Sequence, residues 1–304
     1  MGIKAMLNRN KATKLYYSKL SDLYYCLLTI ISPVLNTKAR YKKVFGKELN
    51  LAQPETLNEK ILWLKLNRYI KDPLVINCAD KYQVREYVEK CGYGHILNEL
   101  YNVYDSPEEI LWDELPNRFV IKWNYGAGMN IICTDKSKMD RGEVFAQLRK
   151  WRKIKYWLPY SEMQYKYTPK RIICERYICG LNGRLPVDYK IYCFNGKPLY
   201  IGNFIERNIE AHTIVRGYFD TQWNHIPICK NEIDITKFPK PEHLEEMIEI
   251  AAKLSAPFPF VRVDLYEAEC KVIFGELTFT PTGGMATYYT EAVEKKYGEF
   301  ISID

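Results

Sequence analysis

The sequence predicts an α+β fold, in which a helical N-terminal region precedes sheets that are antiparallel or mixed. Helix-start signals fill the first third of the chain, whereas short runs rich in Val, Ile, Phe and Tyr follow Arg118. Strand and helix patterns do not alternate regularly, and the chain has no internal repeat. These observations favour helices packed on sheets within one α+β layout.

Three helix starts are recognisable in the N-terminal third. Thr56-Leu-Asn-Glu59 is a capping box ahead of an apolar pattern, and Asp80-Lys-Tyr-Gln83 resembles a second one. Ser106-Pro-Glu-Glu109 offers an N-cap residue followed by proline at the first helical position. We expect helices to begin at these three places, and apolar periodicity predicts two more over 142–152 and 241–254.

The predicted strands are short, apolar and bounded by turn residues. They cover Phe119 to Trp123, Asn130 to Cys133, Arg171 to Ile178, Tyr189 to Phe194, Pro198 to Phe204, Phe260 to Tyr266 and Val272 to Thr278. Asn195-Gly196 predicts a tight hairpin turn. The polar stretch Glu267 to Lys271 predicts a five-residue turn between the last two strands.

The composition is that of a globular protein with reduced thiols. The chain has 304 residues, of which 47% are hydrophobic, and its nine cysteines are scattered without a CxxC pair. We therefore expect a cytoplasmic location, and the four dispersed histidines argue against a zinc site. The longest apolar run, Leu23 to Leu35, is shorter than the roughly 18 residues a spanning helix needs, so no transmembrane segment is expected. We expect a buried helix there, with a membrane-apposed helix as the alternative.

The net charge of +7 favours an anionic partner, such as a nucleotide, an acidic sugar, a nucleic acid or a lipid surface. The densest basic run, Arg149 to Lys155, continues a helix pattern. It lacks the aromatic strand motif and the helix-turn-helix spacing of nucleic-acid-binding proteins. We therefore expect no nucleic-acid partner.

Two acidic residues lie inside apolar strands near the C-terminus. Asp264 stands in Phe260-Val-Arg-Val-Asp-Leu-Tyr266, and Glu276 stands in Val272-Ile-Phe-Gly-Glu-Leu-Thr278. A carboxylate in such a strand is costly unless a cation or hydrogen-bond donors compensate it. The two carboxylates suggest a metal site, and the alternative is a surface hairpin with a solvated polar face.

An even pairing register would put both carboxylates on one face of the hairpin. Pairing Tyr266 with Val272 gives such a register, in which Arg262 lies opposite Glu276 and the aspartate lies on the diagonal. Thr278 then joins the same face. Two carboxylates and a hydroxyl suit Mg²⁺, which takes oxygen ligands and completes its coordination with water and phosphate oxygens.

A glycine-containing loop follows the strand that carries Lys122. In Asn124-Tyr-Gly-Ala-Gly-Met-Asn130, Gly126 and Gly128 would let backbone N–H groups approach an anion, and Lys122 would meet the same anion. An ordinary hairpin is the alternative. The loop is neither a Walker loop, since it lacks Gly-Lys-Ser/Thr, nor a Rossmann fingerprint, since it lacks the third glycine and the following helix.

In this order the elements resemble the TupA-like ATP-grasp family of cell-surface polysaccharide gene clusters, from about residue 40 to the end of the sequence. The resemblance is carried by Thr56 to Leu66, Ala79 to Val88, Phe119 to Lys122, Val187 to Gly196, Phe258 to Tyr266 and Phe274 to Pro281. It implies an ATP-grasp fold, in which two α+β subdomains with mostly antiparallel sheets grip the nucleotide. The implied boundaries are a helical segment over 1–70, a catalytic region over 71–304, a nucleotide lid over about 116–178 and a metal-binding subdomain over about 179–304.

The resemblance also implies a role for individual residues. Contacts with ATP are implied for Lys81, Lys122, Asn124, Gly126, Gly128, Glu175, Arg176, Tyr177, Ile178, Asp188 and Lys190, with residues 175–178 as the adenine hinge. Mg²⁺ ligation is implied for Asp264, Glu276 and Thr278. Catalytic roles are implied for Arg262, facing the reacting phosphoryl group, and for Lys190. Tyr125 replaces a histidine of the family loop, and Thr278 stands where ATP-grasp enzymes more widely have an asparagine ligand.

The implied function is an ATP- and Mg²⁺-dependent carboxylate–amine ligase that forms an acyl phosphate and modifies a sugar or uronic acid unit of a cell-surface polysaccharide. The implied partners are a nucleotide, an anionic sugar or polysaccharide precursor and an amine co-substrate. The cytoplasmic location allows a peripheral contact with the inner face of the membrane through the N-terminal helices. Two alternatives stay open: a glycosyltransferase or other polysaccharide-modifying transferase, and a non-catalytic protein that binds a nucleotide or an anionic glycan.

The acceptor pocket is expected to be shaped by the N-terminal helices and by residues 203–224. Arg207, Arg216, Asp220 and Trp223 are the candidates for contact with a sugar. Ordinary surface or packing roles are the alternative for each of them.

Overall fold

The computed structural model describes residues 11–180, 186–208, 213–229 and 234–303. Its helices are α1 (Lys11–Ile31), α2 (Pro33–Phe45), α3 (Leu57–Asn67), α4 (Pro73–Ala79), α5 (Val84–Lys90), α6 (Arg141–Arg152), α7 (Trp157–Tyr160), α8 (Leu244–Ser255) and α9 (Glu291–Glu299). Its strands are β1 (Leu100–Tyr104), β2 (Phe119–Trp123), β3 (Asn130–Cys133), β4 (Ile172–Arg176), β5 (Val187–Phe194), β6 (Lys197–Asn208), β7 (Thr213–Phe219), β8 (Phe260–Ala268) and β9 (Lys271–Thr278). Within these ranges no helix combines the length and apolarity needed to cross a bilayer.

The strands form two sheets. A four-stranded sheet has the order β1-β4-β2-β3, and a five-stranded sheet has the order β7-β6-β5-β8-β9. Each pairing among the described strands is antiparallel. The predicted α+β layout is confirmed, and the sheets are antiparallel rather than mixed.

The capping box predicted at Thr56 is present. The Thr56 hydroxyl accepts a hydrogen bond from the backbone N–H of Glu59, and the Glu59 carboxylate accepts one from the backbone N–H of Thr56. Asp80 caps a turn instead of the helix itself, because its carboxylate accepts from Tyr82 N and α5 begins only at Val84. The signal at Thr56 therefore marks the start of α3, whereas the signal at Asp80 precedes α5 by one turn.

The prediction of a helix at Ser106 is wrong. Only a single 3₁₀ turn forms there, over Pro107–Glu109. The chain is extended again at Ile110. Ile110, Trp112 and Leu115 are all buried, and this spacing does not place three side chains on one helical face. Packing in the core therefore overrides the local start signal.

The apolar run from Leu23 to Leu35 is not the buried helix that the sequence predicts. It is broken at Ser32, which caps α2, with proline at the first helical position. Leu23, Leu27 and Ile30 are each more than half exposed. This part of α1 therefore presents apolar side chains away from the core.

The four-stranded sheet has one covered face and one polar face. Phe119, Ile121 and Trp123 alternate along β2 and are buried in one core with Leu148 of α6. Lys122 points to the opposite face, because successive side chains alternate along a strand. The lysine of the predicted phosphate-binding segment is therefore on the side that α6 does not cover.

The five-stranded sheet packs on α8 and on the N-terminal helices. Ile191 of β5 and Val263 of β8 are fully buried in one core with Met247 of α8. Leu57 and Ile61 of α3 belong to the same core. The domain boundary at residue 70 stays a prediction, and α3 is packed with the sheet that carries the candidate site.

The turn between β8 and β9 is shorter than predicted. The sequence predicts a five-residue turn over 267–271, but Ala268 still pairs with Lys271. Only Glu269 and Cys270 form the turn, and both have positive φ, 55° and 57°. Positive φ at both central residues is typical of the type I′ hairpin turn, whose twist matches that of the strands.

A β-bulge then restores the shared face of the two carboxylates. Tyr266 pairs with Ile273 instead of Val272, and the register shifts between Asp264 and Leu265. The extra residue is Gly275, where a Cβ atom would lie 2.9 Å from the Asp264 carbonyl oxygen. The bulge therefore needs glycine, because a larger residue would clash with the neighbouring strand.

Candidate active site

Three charged residues lie side by side in one row of the five-stranded sheet. Lys190 of β5 pairs with Asp264 of β8, and Asp264 pairs with Glu276 of β9. Cross-strand partners project to the same face, so the predicted shared face is present. The predicted register is wrong by two residues here: Arg262 lies opposite Thr278 instead of Glu276, and Asp264 lies directly opposite Glu276.

Asp264 is the most enclosed member of this row, with 2% of its surface exposed. Its Oδ1 accepts from Arg262 Nε at 2.6 Å, and its Oδ2 accepts from Arg262 Nη2 at 2.7 Å and from Lys190 Nζ at 2.6 Å. Burial raises the pKa of Asp264, while the charges of Arg262 and Lys190 act against the rise. Two cations thus compensate the buried carboxylate, as the strand pattern requires.

Glu276 is more open and is ionised at neutral pH. Its Oε1 accepts from the Thr278 hydroxyl at 3.2 Å, and its Oε2 lies 3.5 Å from Lys81 Nζ. Burial alone would raise the pKa of Glu276, but the surrounding cations, Lys81 foremost, outweigh it and lower the pKa to about 2. The site therefore holds this carboxylate in the charged form that a metal ligand needs.

Lys190 joins a third carboxylate to the row. Its Nζ lies 2.6 Å from Asp188 Oδ2 and 2.6 Å from Asp264 Oδ2. Asp188 and Lys190 are two residues apart on β5 and therefore share a face. The structure thus brings together Asp188, Lys190, Arg262, Asp264, Glu276 and Thr278.

The donor atoms of this cluster fit a hard divalent cation. The carboxylates of Asp264 and Glu276 project from the same face of the hairpin, and the hydroxyl of Thr278 lies 3.2 Å from Glu276 Oε1. Mg²⁺ takes such oxygen ligands and normally keeps water and phosphate oxygens in its coordination shell. As metal ligands the site offers two carboxylates and not three, because the described residues contain no group of three or more His, Cys, Asp or Glu side chains arranged to hold a metal. Glu276, with 36% of its side chain exposed, presents the more accessible oxygens.

Lys81 connects the row to the glycine loop of the other sheet. Its backbone N–H donates to Asn124 O at 2.8 Å, and its ammonium group donates to Gly126 O at 2.5 Å. The same ammonium group lies 3.5 Å from Glu276. The residue that the resemblance assigns to the phosphates is therefore placed between the loop and the carboxylates.

Asn124 supports this loop from within. It is fully buried, and its Nδ2 donates to Asp80 Oδ2 at 2.7 Å and to Pro169 O at 2.8 Å. Its Oδ1 accepts from the backbone N–H of Arg171 at 2.9 Å. The side chain is thus engaged within the protein, and its predicted contact with ATP stays a prediction. Asp80 was missed as a site residue, although its place in a cap-like motif is visible in the sequence.

The glycines of the loop are required by its geometry. Gly126 and Gly128 have positive φ, 68° and 73°, which L side chains rarely adopt. A Cβ atom at Gly126 would also lie 2.6 Å from the ring of Tyr156. Tyr156 therefore packs directly against the loop, a contact that no sequence motif indicates.

Tyr125 points away from the cluster. It is buried in the core of the four-stranded sheet, where its ring lies 5.8 Å from that of Trp123. Its hydroxyl donates to Trp151 O at 3.2 Å. The residue that replaces the family histidine is therefore a packing residue of this sheet.

The polar face of the four-stranded sheet carries a second ion pair. Lys122 Nζ lies 2.7 Å from Glu175 Oε2, and their side chains are 21% and 9% exposed. Val120 is the cross-strand partner of Glu175, so Lys122 and Glu175 project from the same face. The charge of Lys122 also helps to lower the pKa of Glu276, so this pair acts on the row of the other sheet.

The predicted adenine hinge over 175–178 begins within β4 and continues beyond the end of the strand. The backbone N–H of Arg176 donates to Glu99 O at 2.9 Å, and Arg176 O accepts from Asn98 Nδ2 at 2.8 Å. The Arg176 guanidinium lies 2.6 Å from Glu269 in the β8–β9 turn. Tyr177 is buried under the Arg118 guanidinium, 4.5 Å from its ring centroid. The hinge segment is therefore tied to both sheets, and its contact with adenine stays a prediction.

The candidates for sugar contact are mostly engaged within the protein. Trp223 stacks on Phe219 at 4.2 Å between ring centroids, and Asp220 accepts from the backbone N–H groups of the turn that follows it. Arg216 lies over the ring of Tyr288, 5.1 Å from its centroid. The side chain of Arg207 lies outside the described residues.

Comparison with known proteins gives a family and a set of similar structures. The model of the TupA-like ATP-grasp family matches residues 59–302, which confirms the resemblance. The ATP complex of D-alanine–D-alanine ligase from Bacillus anthracis is 16% identical with a TM-score of 0.43, over 73% of this chain and 61% of the ligase. The ATP-grasp ligase PsnB with its minimal precursor is 10% identical with a TM-score of 0.40, over 80% of this chain and 68% of PsnB. The ADP complex of purK, N5-carboxyaminoimidazole ribonucleotide synthetase, is 13% identical with a TM-score of 0.40, over 67% of this chain and 45% of purK. A search of curated proteins found no match.

Proposed function

Because the chain belongs to the TupA-like ATP-grasp family and has the fold of that family, we propose that it is an ATP- and Mg²⁺-dependent carboxylate–amine ligase. Its acid substrate is a uronic acid or another sugar unit of a cell-surface polysaccharide precursor, and an acyl phosphate is the intermediate. The prediction of an ATP-grasp enzyme is confirmed by the family match. One observation carries the finer proposal: Lys190, Asp264 and Glu276 lie side by side on one face of the sheet.

Cations around this row supply the positive charge that a nucleotide's phosphates require. Lys81 lies between Glu276 and the carbonyl oxygen of Gly126. In the proposal, Lys81, Lys122 and the backbone N–H groups of the loop over 124–128 bind the phosphates. Phosphoryl transfer is accelerated mainly by positioning and by neutralising oxygen charge, so such a set of cations suits the reaction.

Asp264 and Glu276, with the hydroxyl of Thr278 beside them, are the residues that hold Mg²⁺ in this proposal. When bound, Mg²⁺ neutralises charge on phosphoryl oxygens as a Lewis acid. The strand pairing fixes the two carboxylates opposite each other without help from a mobile loop. The residues are therefore positioned before the nucleotide arrives, which lowers the cost of organising the site.

Arg262 is the residue that contacts the phosphoryl group being transferred. Asp264 orients its guanidinium through Nε and Nη2, and Nη2 also donates to Thr278 Oγ1 at 3.0 Å. Within the described residues the hydrogen bonds of Arg262 use Nε and Nη2, and in this proposal Nη1 contacts the phosphoryl oxygens. The γ-phosphoryl group moves from ATP to a carboxylate oxygen of the acid as ADP leaves. The deprotonated amine then attacks the acyl carbon and displaces phosphate. In both steps the ammonium group of Lys190 balances the negative charges of Asp188 and Asp264.

The nucleotide lies between the two sheets in this proposal, with a lid over about 116–178 and a metal-binding subdomain over about 179–304, after the helical segment 1–70. Residues 175–178 form the adenine hinge, and Asp188 lies beside the nucleotide. The ion pair of Arg176 with the β8–β9 turn supports this arrangement, because it ties the hinge to the carboxylate-bearing hairpin. The protein acts in the cytoplasm at the inner face of the membrane.

A product assay tests the reaction. The protein is incubated with Mg-ATP and a panel of uronic acids and amino acids, and ADP, phosphate and product mass are measured. We expect ADP and phosphate in equal amounts, with a product whose mass is that of acid plus amine minus water. Consumption of a nucleotide sugar without ADP release would instead identify a transferase. Absence of Mg-ATP binding in isothermal titration would identify a non-catalytic protein.

A matched pair of variants tests the site. Asp264→Asn should lower ADP release by about a hundredfold or more, because it removes one charged ligand and the anchor of Arg262. Asp113→Asn is the control, since Asp113 is a surface aspartate whose side chain is 92% exposed. Circular dichroism verifies that both variants are folded. Full ADP release by Asp264→Asn would refute the assigned site.

A further inference from the structure

The first two helices present an apolar face that the candidate site does not use. Its residues are Leu20, Leu23, Tyr24, Leu27, Ile30 and Ile31 of α1 and Val34 and Leu35 of α2. Each is between 38% and 72% exposed. In α1 they recur at intervals of three and four residues, which places them on one side of the helix. We call these eight residues the apolar face.

The opposite side of these helices is already packed. Tyr25 and Thr29 of α1 are buried, and the Thr29 hydroxyl donates to Leu158 O at 2.6 Å. Asn36 of α2 is also buried, and its Nδ2 donates to Pro159 O at 3.2 Å. Since these contacts fix the helices on the segment that follows Tyr156, the apolar face is directed outward.

Positive charge accompanies the apolar face. The segment Lys11–Phe45, which spans α1 and α2, contains seven Lys and Arg residues and one acidic residue, Asp22, a net charge of +6. The whole chain has a net charge of +7, so these 35 residues account for nearly all of it. Lys19, Lys38 and Lys43 are exposed, and Lys38 lies one turn from Val34 of the apolar face. Apolar and basic side chains are therefore exposed together on this part of the surface.

We propose that α1 and α2 lie on an anionic phospholipid membrane. The apolar face enters the boundary between headgroups and acyl chains, and the lysines around it contact lipid phosphates. A second copy of this chain fits less well, because a symmetric contact through this face would bring two segments of net charge +6 together. The inference rests on exposure and charge, and it is independent of the reaction proposed above.

Vesicle co-sedimentation of the full-length chain tests this proposal. The probes are vesicles of phosphatidylcholine with roughly 30% phosphatidylglycerol and vesicles of phosphatidylcholine alone. We expect binding to the anionic vesicles to exceed binding to the neutral ones by about tenfold, and to weaken when salt is raised from about 0.1 M to about 1 M. Equal binding to both vesicles, or none to either, would overturn the proposal.

Two matched variants locate the contact. Leu23→Gln/Leu27→Gln/Ile30→Gln should lower vesicle binding by about tenfold or more, because three inserted side chains become polar. Leu111→Gln/Ile235→Gln is the control, since these residues are 48% and 47% exposed on other parts of the surface. The control should bind vesicles as the unmodified chain does.

The same variants distinguish a membrane from a second copy. If the apolar face covers another copy, sedimentation velocity should show a dimer that the Leu23, Leu27 and Ile30 substitutions convert to a monomer. That result without vesicle binding would overturn the proposal. Equal vesicle binding by the triple variant and the unmodified chain would do so as well, provided that circular dichroism shows both to be folded.

Discussion

Lys190 Nζ lies 2.6 Å from Asp264 Oδ2, on the strand beside it, and 2.6 Å from Asp188 Oδ2 on its own strand. One ammonium group thus lies between two buried carboxylates, and all three side chains are at most 10% exposed. Breaking a buried ion pair by removing one partner is far more costly than breaking a surface pair, because the remaining charge has no compensation. The stability of the sheet and its charged row are therefore coupled through this lysine.

The substitution Lys190→Met removes this compensation while keeping a long apolar side chain. We expect the free energy of unfolding to fall by about 3–5 kcal/mol, since Asp188 and Asp264 both lose the ammonium group of Lys190. Urea denaturation followed by circular dichroism measures the loss.

Lys197→Met serves as the control for this change. Lys197 is exposed at the start of β6, so the free energy of unfolding should change by no more than about 0.5 kcal/mol. An equal loss of stability in the two variants would show that burial of the ion pair contributes nothing.

The lowered pKa of Glu276 predicts that the stability of the protein depends on pH. Its folded pKa is lowered to about 2 from a usual value of 4.5, so the folded state binds its proton more weakly than the unfolded state does. The resulting stabilisation is fully present above the unfolded pKa and is lost as the pH falls from about 5 towards 2. We expect the substitution Glu276→Gln to reduce this loss, as measured by thermal unfolding over that range.

Glu114→Gln is the matched control for the pH series. Glu114 is an exposed glutamate on the surface near the four-stranded sheet. Its substitution should leave the slope of stability against pH unchanged. If Glu276→Gln retains the full slope between pH 5 and pH 2, the surrounding cations do not lower the pKa of Glu276 as the geometry requires.

The glycine loop predicts a difference between two chemically identical substitutions. Gly126→Ala combines a positive φ with a Cβ atom 2.6 Å from the ring of Tyr156, whereas a Cβ atom at Gly128 meets nothing within 4 Å. In both variants the positive φ destabilises the folded state by roughly 1–2 kcal/mol, but only Gly126→Ala also displaces Tyr156 and the loop. We expect Gly126→Ala to raise the KM for ATP about tenfold more than Gly128→Ala does, in an ADP-release assay.

A double variant tests the assigned cause. Tyr156→Ala removes the ring that the new methyl group would strike, so the combination with Gly126→Ala should be less damaging than the sum of the two changes. Additive effects on the KM for ATP would show that the contact between Gly126 and Tyr156 does not control the loop.

Local patterns predicted much of the fold. The capping box at Thr56 depends on residues three positions apart, and it is present as predicted. The shared face of Asp264 and Glu276 is present, but the alternation of side chains along strands gives it only in an even register, and the two-residue turn alone would make the register odd. The exact register does not follow, because it depends on the bulge at Gly275 and on a turn of two residues. Neither the bulge nor the turn length is determined by the polarity of the stretch between the strands.

Contacts between distant segments account for what the sequence did not show. Asp80 contacts Asn124 across 44 positions of sequence, and Tyr156 packs on Gly126 across 30. The exposed apolar run around Leu27 is the converse case. Its apolar composition predicts burial, but the described side chains of α1 pack against the rest of the protein on one side of the helix. Composition gives the tendency to be buried, whereas the number of packed sides depends on the tertiary structure.

The packing role of Tyr125 can be tested by substitution, because Tyr125 replaces a histidine that the resemblance places in the loop. Its side chain lies in the core of the four-stranded sheet, against Trp123, and its hydroxyl donates to Trp151 O at 3.2 Å. Tyr125→His therefore puts a smaller, more polar ring into this core. We expect the free energy of unfolding to fall by about 2–4 kcal/mol without a gain in ADP release. Tyr125→Phe, the control, loses one hydrogen bond and should cost only about 1 kcal/mol. A rise in kcat with Tyr125→His would contradict the packing role, since an imidazole can act on ATP only if it faces the cluster around Glu276.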